Sequence, residues 1–229
     1  MSGSVVRDLE VVPDADAVAR RGAAVIAEAA RDATRVRDRC TVAVSGGRTP
    51  WAMFELLATE DLPWERVGIW QVDERVAPDG DPDRNLTSLA PFLPAAADLH
   101  PMPVTDTDLD AAAARYAASL PEAFDLIHLG MGDDGHTASL VPGDPVLDVR
   151  DRDVAVTGEY RGRRRMTLTY PALARARLAL WLIEGADKAA MVPRLLAADA
   201  SIPAGRVATP RQLIVADEST AGSTARPGA

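Results

Sequence analysis

Short apolar runs rich in β-branched residues recur along this chain, and each is followed by a loop and then a helical stretch. TVAV (41–44) leads through SGGRTP into WAMFELLAT, and RVGIWQV (66–72) opens into DERVAPDGDPDRN. FDLIHLG (124–130) runs into MGDDGHTASLVPG, and LALWLIEG (178–185) into ADKAAMVPRLLAA. FDLIHLG is apolar almost throughout, as in a strand covered on both faces. Strands alternating with helices in this way specify an α/β fold: a largely parallel sheet with helices on both faces, in a Rossmann-like three-layer arrangement. Neither an internal repeat nor a linker divides the chain, so a single domain is expected over residues 1–217. The polar stretch ESTAGSTARPGA (218–229) is expected to be a disordered tail.

Local signals place the other elements. Val18, Val25, Ile26 and Ala29 recur at helical spacing within residues 14–38. Thr49 reads as the N-cap of the next helix and Pro50 as its first residue. LTSLAPFL reads as a short helix, and residues 106–120 as a longer one with acidic residues at its start, where the helix dipole favours them. DVAVTGEY, RMTLTYPAL and LALWLIEG are β-rich, and RQLIVAD is a last strand. Pro193 is expected to kink or break the helix after LALWLIEG.

The 229 residues are 47% hydrophobic, enough for a sizeable core, but only 4% aromatic, so Leu, Val, Ile and Ala must fill it. A formal charge of -9 argues against nucleic acid or an anionic membrane surface as a general partner. No segment nears the ~18 uninterrupted apolar residues of a membrane span. The N-terminal stretch has no basic start followed by an apolar run, so no secretory signal is read there. The lone Cys40 has no internal disulfide partner, which suits a reducing compartment. A soluble, cytoplasmic protein is expected. Arginine fills 24 of the 25 basic positions, and the one lysine is Lys188.

Ligands of open α/β sheets sit at the carboxyl ends of the strands. Candidate residues therefore gather on loops 45–49, 73–85 and 130–143, with Lys188 after the strand LALWLIEG. In SGGRTP, Gly46 and Gly47 permit a tight turn and close backbone approach. The helix start beyond offers free N–H groups to an anion, while Ser45 adds a hydroxyl and Arg48 a charge. It is neither a Walker loop nor GxGxxG. Taken alone, an ordinary βα turn accounts for it equally well. Asp73, Glu74 and Arg75 end the next strand and project toward the same crevice; alone, a solvated charged loop explains them better. His136 stands where catalytic side chains sit, on a glycine-rich loop at a strand end, and can take a proton from water near neutral pH. Asp134 can orient its ring, with Gly135 between them. The plain alternative for His136 is a turn residue. His128, inside its strand, is expected to pack in the core, and His100 to lie in a loop. No HxxxH, CxxC or clustered ligands suggest a metal, and Ser139 lacks a GxSxG elbow.

Taken in order, these loops resemble the 6-phosphogluconolactonase family, within the wider glucosamine-6-phosphate isomerase/deaminase-like fold. The segments that carry the resemblance are VAVSGGRTP, WQVDERVAPDGDPDRN, FDLIHLGMGDDGHTASLVPG, RMTLTYPAL and EGADKA, spanning residues 42–189. The resemblance implies hydrolysis of 6-phospho-D-glucono-1,5-lactone to 6-phosphogluconate in the pentose phosphate pathway, with no metal and no organic cofactor. It implies that His136 is the general base and Asp134 its support. Ser45, Gly46, Gly47 and Arg48 match the phosphate loop, Arg75 a ligand-binding arginine, and Lys188 the phosphate-binding lysine. Asp73, Glu74 and Gly135 complete the set as supporting residues, and the oxyanion is expected to fall to backbone N–H groups or Arg75. The only partner implied is a small sugar phosphate. Ala174 and Val141 depart from the family's usual Asn and Phe. Two rivals remain: a hexosamine-6-phosphate deaminase, whose DGH motif continues to a glutamate where this chain has Val141, and a non-catalytic sugar-phosphate-binding module.

Overall fold

The structure, a computed structural model, describes residues 5–222, with Arg48 described in its backbone alone. The chain opens with strand β1 (Val6–Val12) and helix α1 (Ala15–Arg37), then β2 (Cys40–Val44) and α2 (Arg48–Leu57). Strands β3 (Val67–Gln71) and β4 (Asp73–Arg75) precede α3 (Asn85–Leu89), β5 (Asp98–His100), α4 (Leu109–Ala118) and β6 (Leu126–Leu129). After them come β7 (Val154–Val156), β8 (Arg165–Leu168), α5 (Tyr170–Ala174) and β9 (Ala179–Ile183). The described chain ends with α6 (Val192–Leu196), β10 (Arg211–Asp217) and α7 (Glu218–Ala221). Among the described residues no helix is long and apolar enough to cross a membrane.

Seven described strands pair in the order β1-β10-β9-β6-β2-β3-β5, all parallel. From β2 the chain builds outward through β3 and β5, then returns to β6 and builds the other way. The reversal falls between β2 and β6, and a crevice opens beyond the carboxyl ends of strands at such a point. Alternate side chains of each strand enter opposite layers of core. Val42, Val44, Leu180 and Leu182 pack with α1 and α2, whereas Ala43, Ile127, Trp181 and Ile183 pack with α4, α5 and α6. This two-sided burial is why the central strands are apolar on both faces.

Helix α1 starts where the Asp14 side chain accepts from Ala17 N–H at 2.7 Å. It stops at Asp38, in the left-handed region at φ 65°. Trp181, fully buried, donates its indole N–H to Gln212 Oε1 at 2.9 Å, so the largest core side chain leaves no polar atom unsatisfied.

Several expectations need correction. The β-rich runs around residues 154 and 166 do not join the parallel sheet. With β4 they form a separate antiparallel sheet of order β4-β8-β7. Val72 joins the two sheets, donating to Val44 O at 2.9 Å and accepting from Leu168 N–H at 2.8 Å. An edge strand, β1, precedes α1; its partial exposure mixes polar and apolar positions and hides the strand from a search for apolar runs. The cap of α2 is Gly47, not Thr49, and no side chain caps it. His100 lies in strand β5, its ring stacked on Trp70 at 3.9 Å between centroids. Pro193 sits in the first turn of α6 and so starts a helix, as its missing N–H allows. Part of the expected tail is ordered: Asp217 caps the one-turn helix α7 through Thr220 N–H at 2.8 Å, and Thr220 is buried. Residues 223–229 of that tail lie outside the described residues.

Candidate active site

An open cavity of about 360 Å³ lies beyond the carboxyl ends of β2, β6 and β9, walled on one side by β4 and β8. It draws Ser45, Gly46, Gly47, Asp73, Arg75, His136 and Lys188 together from four separate segments. The Arg48 side chain lies outside the described residues; its backbone opens α2.

The loop after β2 needs its glycines. A Cβ on Gly46 would collide with the Asn85 amide, and Gly47 has φ 129°, where side chains are strained. Ser45 behaves differently from the expectation. Its N–H donates to His128 Nδ1 at 3.3 Å and its hydroxyl to His128 O at 3.0 Å. Both donors are therefore spent on β6, and the anion-facing donors of this loop fall to the residues after it. Burial holds the His128 imidazole neutral by pushing its pKa down to about 3. Because Nδ1 accepts, the ring proton sits on Nε2, which has no hydrogen-bond partner among the described residues.

Strand β4 turns successive side chains to opposite sides. Asp73 and Arg75 line the cavity. Glu74 does not. It is fully buried and accepts from the N–H groups of Arg75, Asn85 and Leu86 at 2.7–2.8 Å and from Gln71 Nε2 at 2.9 Å. It thus anchors the start of α3. Asp73 accepts the Ser139 hydroxyl proton at 2.6 Å. Arg75 donates through Nη1 to Asp83 O and Asn85 Oδ1, both at 2.7 Å.

The loop after β6 is closed by its own backbone: Gly132 N–H donates to His136 O at 2.9 Å. Asp134 Oδ1 lies 2.6 Å from His136 Nδ1 and accepts the His136 N–H at 3.0 Å. Burial pushes the Asp134 carboxyl up, but these bonds and the adjacent imidazole pull it further down, so it stays ionised. Gly135 does not line the cavity. It sits at φ 78°, where an added Cβ would meet Ile202 at 2.7 Å, and its carbonyl accepts from Ala204 N–H at 2.9 Å. Tyr160 stands edge-on to His136, 5.7 Å between centroids.

Lys188 reaches the cavity from the last position of a one-turn 3-10 helix, Ala186–Lys188, after β9. It does not begin an α-helix, so an unfavourable dipole gives no argument for its role. Its ammonium makes no hydrogen bond or ion pair within the described residues, although Glu184 and Asp187 share the wall. Sequence reasoning missed Asn85, Arg161 and Arg165, which also line the cavity. The cluster RGRRR (161–165) was the only signal for the two arginines, and Asn85 ends the candidate loop 73–85. Among the described residues no three or more His, Cys, Asp or Glu side chains gather as metal ligands.

The assembly pairs an aspartate-held imidazole with a cationic wall and a glycine-rich turn at a helix start. Such a site can bind an anionic ligand and move a proton beside it. Comparison with known proteins agrees with this layout. The family model for glucosamine-6-phosphate isomerases/6-phosphogluconolactonase matches residues 13–216. The chain is 37% identical over 209 residues to a 6-phosphogluconolactonase of Synechocystis, covering 83% of this chain and 87% of that one. It is 34% identical over 224 residues to a 6-phosphogluconolactonase of Streptomyces coelicolor, covering 86% of this chain and 85% of the other. A crystal structure of the 6-phosphogluconolactonase of Thermotoga maritima superposes with a TM-score of 0.83 at 26% identity, over 93% of this chain and 100% of that one. By sequence match across nearly its whole length, by fold and by the arrangement of its loops, this chain belongs to the glucosamine-6-phosphate isomerase/6-phosphogluconolactonase family.

Proposed function

We propose that this chain hydrolyses 6-phospho-D-glucono-1,5-lactone to 6-phospho-D-gluconate, a step of the pentose phosphate pathway. The observation that carries the reading is the 2.6 Å contact between Asp134 and His136 at a cavity that also holds Lys188, which is unpaired among the described residues. In the mechanism, Lys188 and the backbone around Gly46 and Gly47 hold the phosphate. This remote anchoring fixes the lactone ring beside His136. Asp134 keeps the proton of the neutral ring on Nδ1, leaving Nε2 to take a proton from water. The resulting hydroxide adds to C1, and the carbonyl oxygen takes the negative charge. When the carbonyl reforms, the bond from C1 to the ring oxygen breaks, and the proton on Nε2 passes to that oxygen as it becomes the C5 hydroxyl. Asp134 offsets the imidazolium charge between the two transfers. A cytoplasmic setting is part of the proposal and rests on the use of a single cysteine.

The deaminase reading finds no support at residue 141. Val141 is buried and apolar, and it holds no proton to give. A side-by-side assay tests the choice: acid release from freshly prepared 6-phosphogluconolactone against ammonia release from glucosamine 6-phosphate. Catalysed acid release without ammonia is expected; the converse would replace the lactonase with a deaminase. Tight binding of both sugars with neither reaction would make the chain a binding module.

A further inference from the structure

Strands β4 and β8 pair antiparallel with Arg75 directly opposite Arg165. Like charges facing each other across a ladder repel. Both side chains line the cavity, and the Nε atom of each is buried without a hydrogen-bond partner among the described residues. The two are not equivalent. Arg75 is held firmly by Asp83 O and Asn85 Oδ1. Arg165 is only 8% exposed, yet the one hydrogen bond of its guanidinium within the described residues is a 3.5 Å approach to Ser139 Oγ. That hydroxyl already gives its own proton to Asp73, and Arg165 forms no ion pair with any described carboxylate. A guanidinium so desolvated, with the Asp73 carboxylate near it but beyond ion-pair distance, leaves a poorly compensated charge, which an anion in the cavity would neutralise.

Its surroundings say which anion. The Arg165 guanidinium lies over the Tyr160 ring, 5.1 Å from its centroid. The His136 ring meets the edge of the same tyrosine. Tyr160 therefore ties Arg165 to the reacting end of the cavity. Arg161 lies over that ring at the same distance, but it is exposed, so water already solvates its charge. Lys188, by contrast, approaches from the end of β9. We infer that Arg165 is a catalytic residue that binds the C1 oxygen: the lactone carbonyl in the substrate, the oxyanion in the transition state and the carboxylate in the product. The cavity then has two cationic poles, one for each charged end of 6-phosphogluconate. A planar guanidinium matches the two oxygens of a carboxylate through paired N–H groups, which an ammonium cannot do. This inference rests on the lactonase reading.

Two ligands separate the poles. 6-Phosphogluconate carries both phosphate and carboxylate; sorbitol 6-phosphate carries the phosphate on the same chain with a hydroxyl at C1. Calorimetric titration of the intact wild-type protein should show binding of both, with 6-phosphogluconate the tighter. Arg165→Met should weaken 6-phosphogluconate by about 10- to 100-fold, as for the loss of a hydrogen bond to a charged group. Sorbitol 6-phosphate should change by less than about twofold, a shift too small to represent a lost hydrogen bond. If burial of the methionine prevents folding, Arg165→Lys decides, since it keeps the charge and loses the fork. Its loss should again be confined to the carboxylate ligand, together with a fall in kcat. An equal loss for both ligands would place Arg165 on the phosphate or in the scaffold, and no loss for either would remove it from the site; both overturn the inference. A wild type that binds neither ligand would overturn the lactonase reading and this inference with it.

Discussion

Asp134 grips His136 twice, once at the backbone N–H and once at ring Nδ1, through a single carboxylate oxygen. The double contact fixes both the position of the ring and its tautomer. Asp134→Asn keeps the shape of the side chain but loses the charge that offsets the imidazolium. It should lower kcat and leave KM nearly unchanged, because the aspartate does not line the cavity that holds the sugar. Steady-state kinetics with the lactone would show this, and an unaltered kcat would mean that the contact is structural.

Gly132 is the close neighbour of that pair. A Cβ there would collide with the His136 ring and come within 2.9 Å of Asp134 Oδ1. Gly132→Ala should therefore displace the imidazole without touching the core. A shift of about 1 Å in a catalytic group can cost roughly 10²-fold. We expect kcat to drop by about that factor with the melting temperature almost unmoved. A matching loss of stability and activity would instead point to general disruption of the loop.

Lys188→Met removes the ammonium that has no partner among the described residues. Affinity for 6-phosphogluconate should fall by about 1.5–3 kcal/mol, the range for a hydrogen bond to a charged group. Gluconate, lacking the phosphate, should be bound no worse than before. Lys188→Arg should also be impaired, since a compact point charge and a planar fork fit a phosphate differently. Titration of both ligands against the three proteins is the check, and a silent Lys188→Met would take this residue out of the phosphate site.

His128 links pH to stability. Its ring is neutral in the fold, with the pKa pushed down by burial from 6.5 to about 3. Below about pH 6.5 the unfolded chain binds a proton there that the folded chain does not, so stability declines as pH falls toward 3. The slope for one such group approaches about 1.4 kcal/mol per pH unit. His128→Asn keeps an acceptor for Ser45 N–H and removes the titration. Urea unfolding at pH 7 and pH 5 should give a smaller pH-dependent loss for the variant than for the wild type. Equal losses in the two proteins would show that His128 gains its proton without unfolding.

The central strands were legible because burial on both faces leaves an unbroken apolar run, as in Leu126–Leu129. Strand β1 was not, because an edge strand keeps its polar residues. The antiparallel sheet was hidden for another reason. β4 is three residues long and a single residue, Val72, separates it from β3, so no composition break marks the change of sheet. Within the site, His136, Lys188 and the glycine turn could be read from their places at strand ends. Glu74 and Ser45 could not be assigned, because only the fold decides which way a side chain between two layers turns. Arg165 was masked by the arginines around it, and its burial distinguishes it from them only in three dimensions.

The central claim is that His136, held by Asp134, activates water against a phosphorylated lactone. The most direct measurement is the rate of acid release from freshly made 6-phosphogluconolactone, corrected for spontaneous hydrolysis, for the wild type and His136→Ala at pH 7. The wild type should be a catalyst, and the variant should fold normally with kcat lower by about 10²–10⁴-fold, the usual contribution of a general base. A folded His136→Ala protein that turns the lactone over at the wild-type rate would contradict the account.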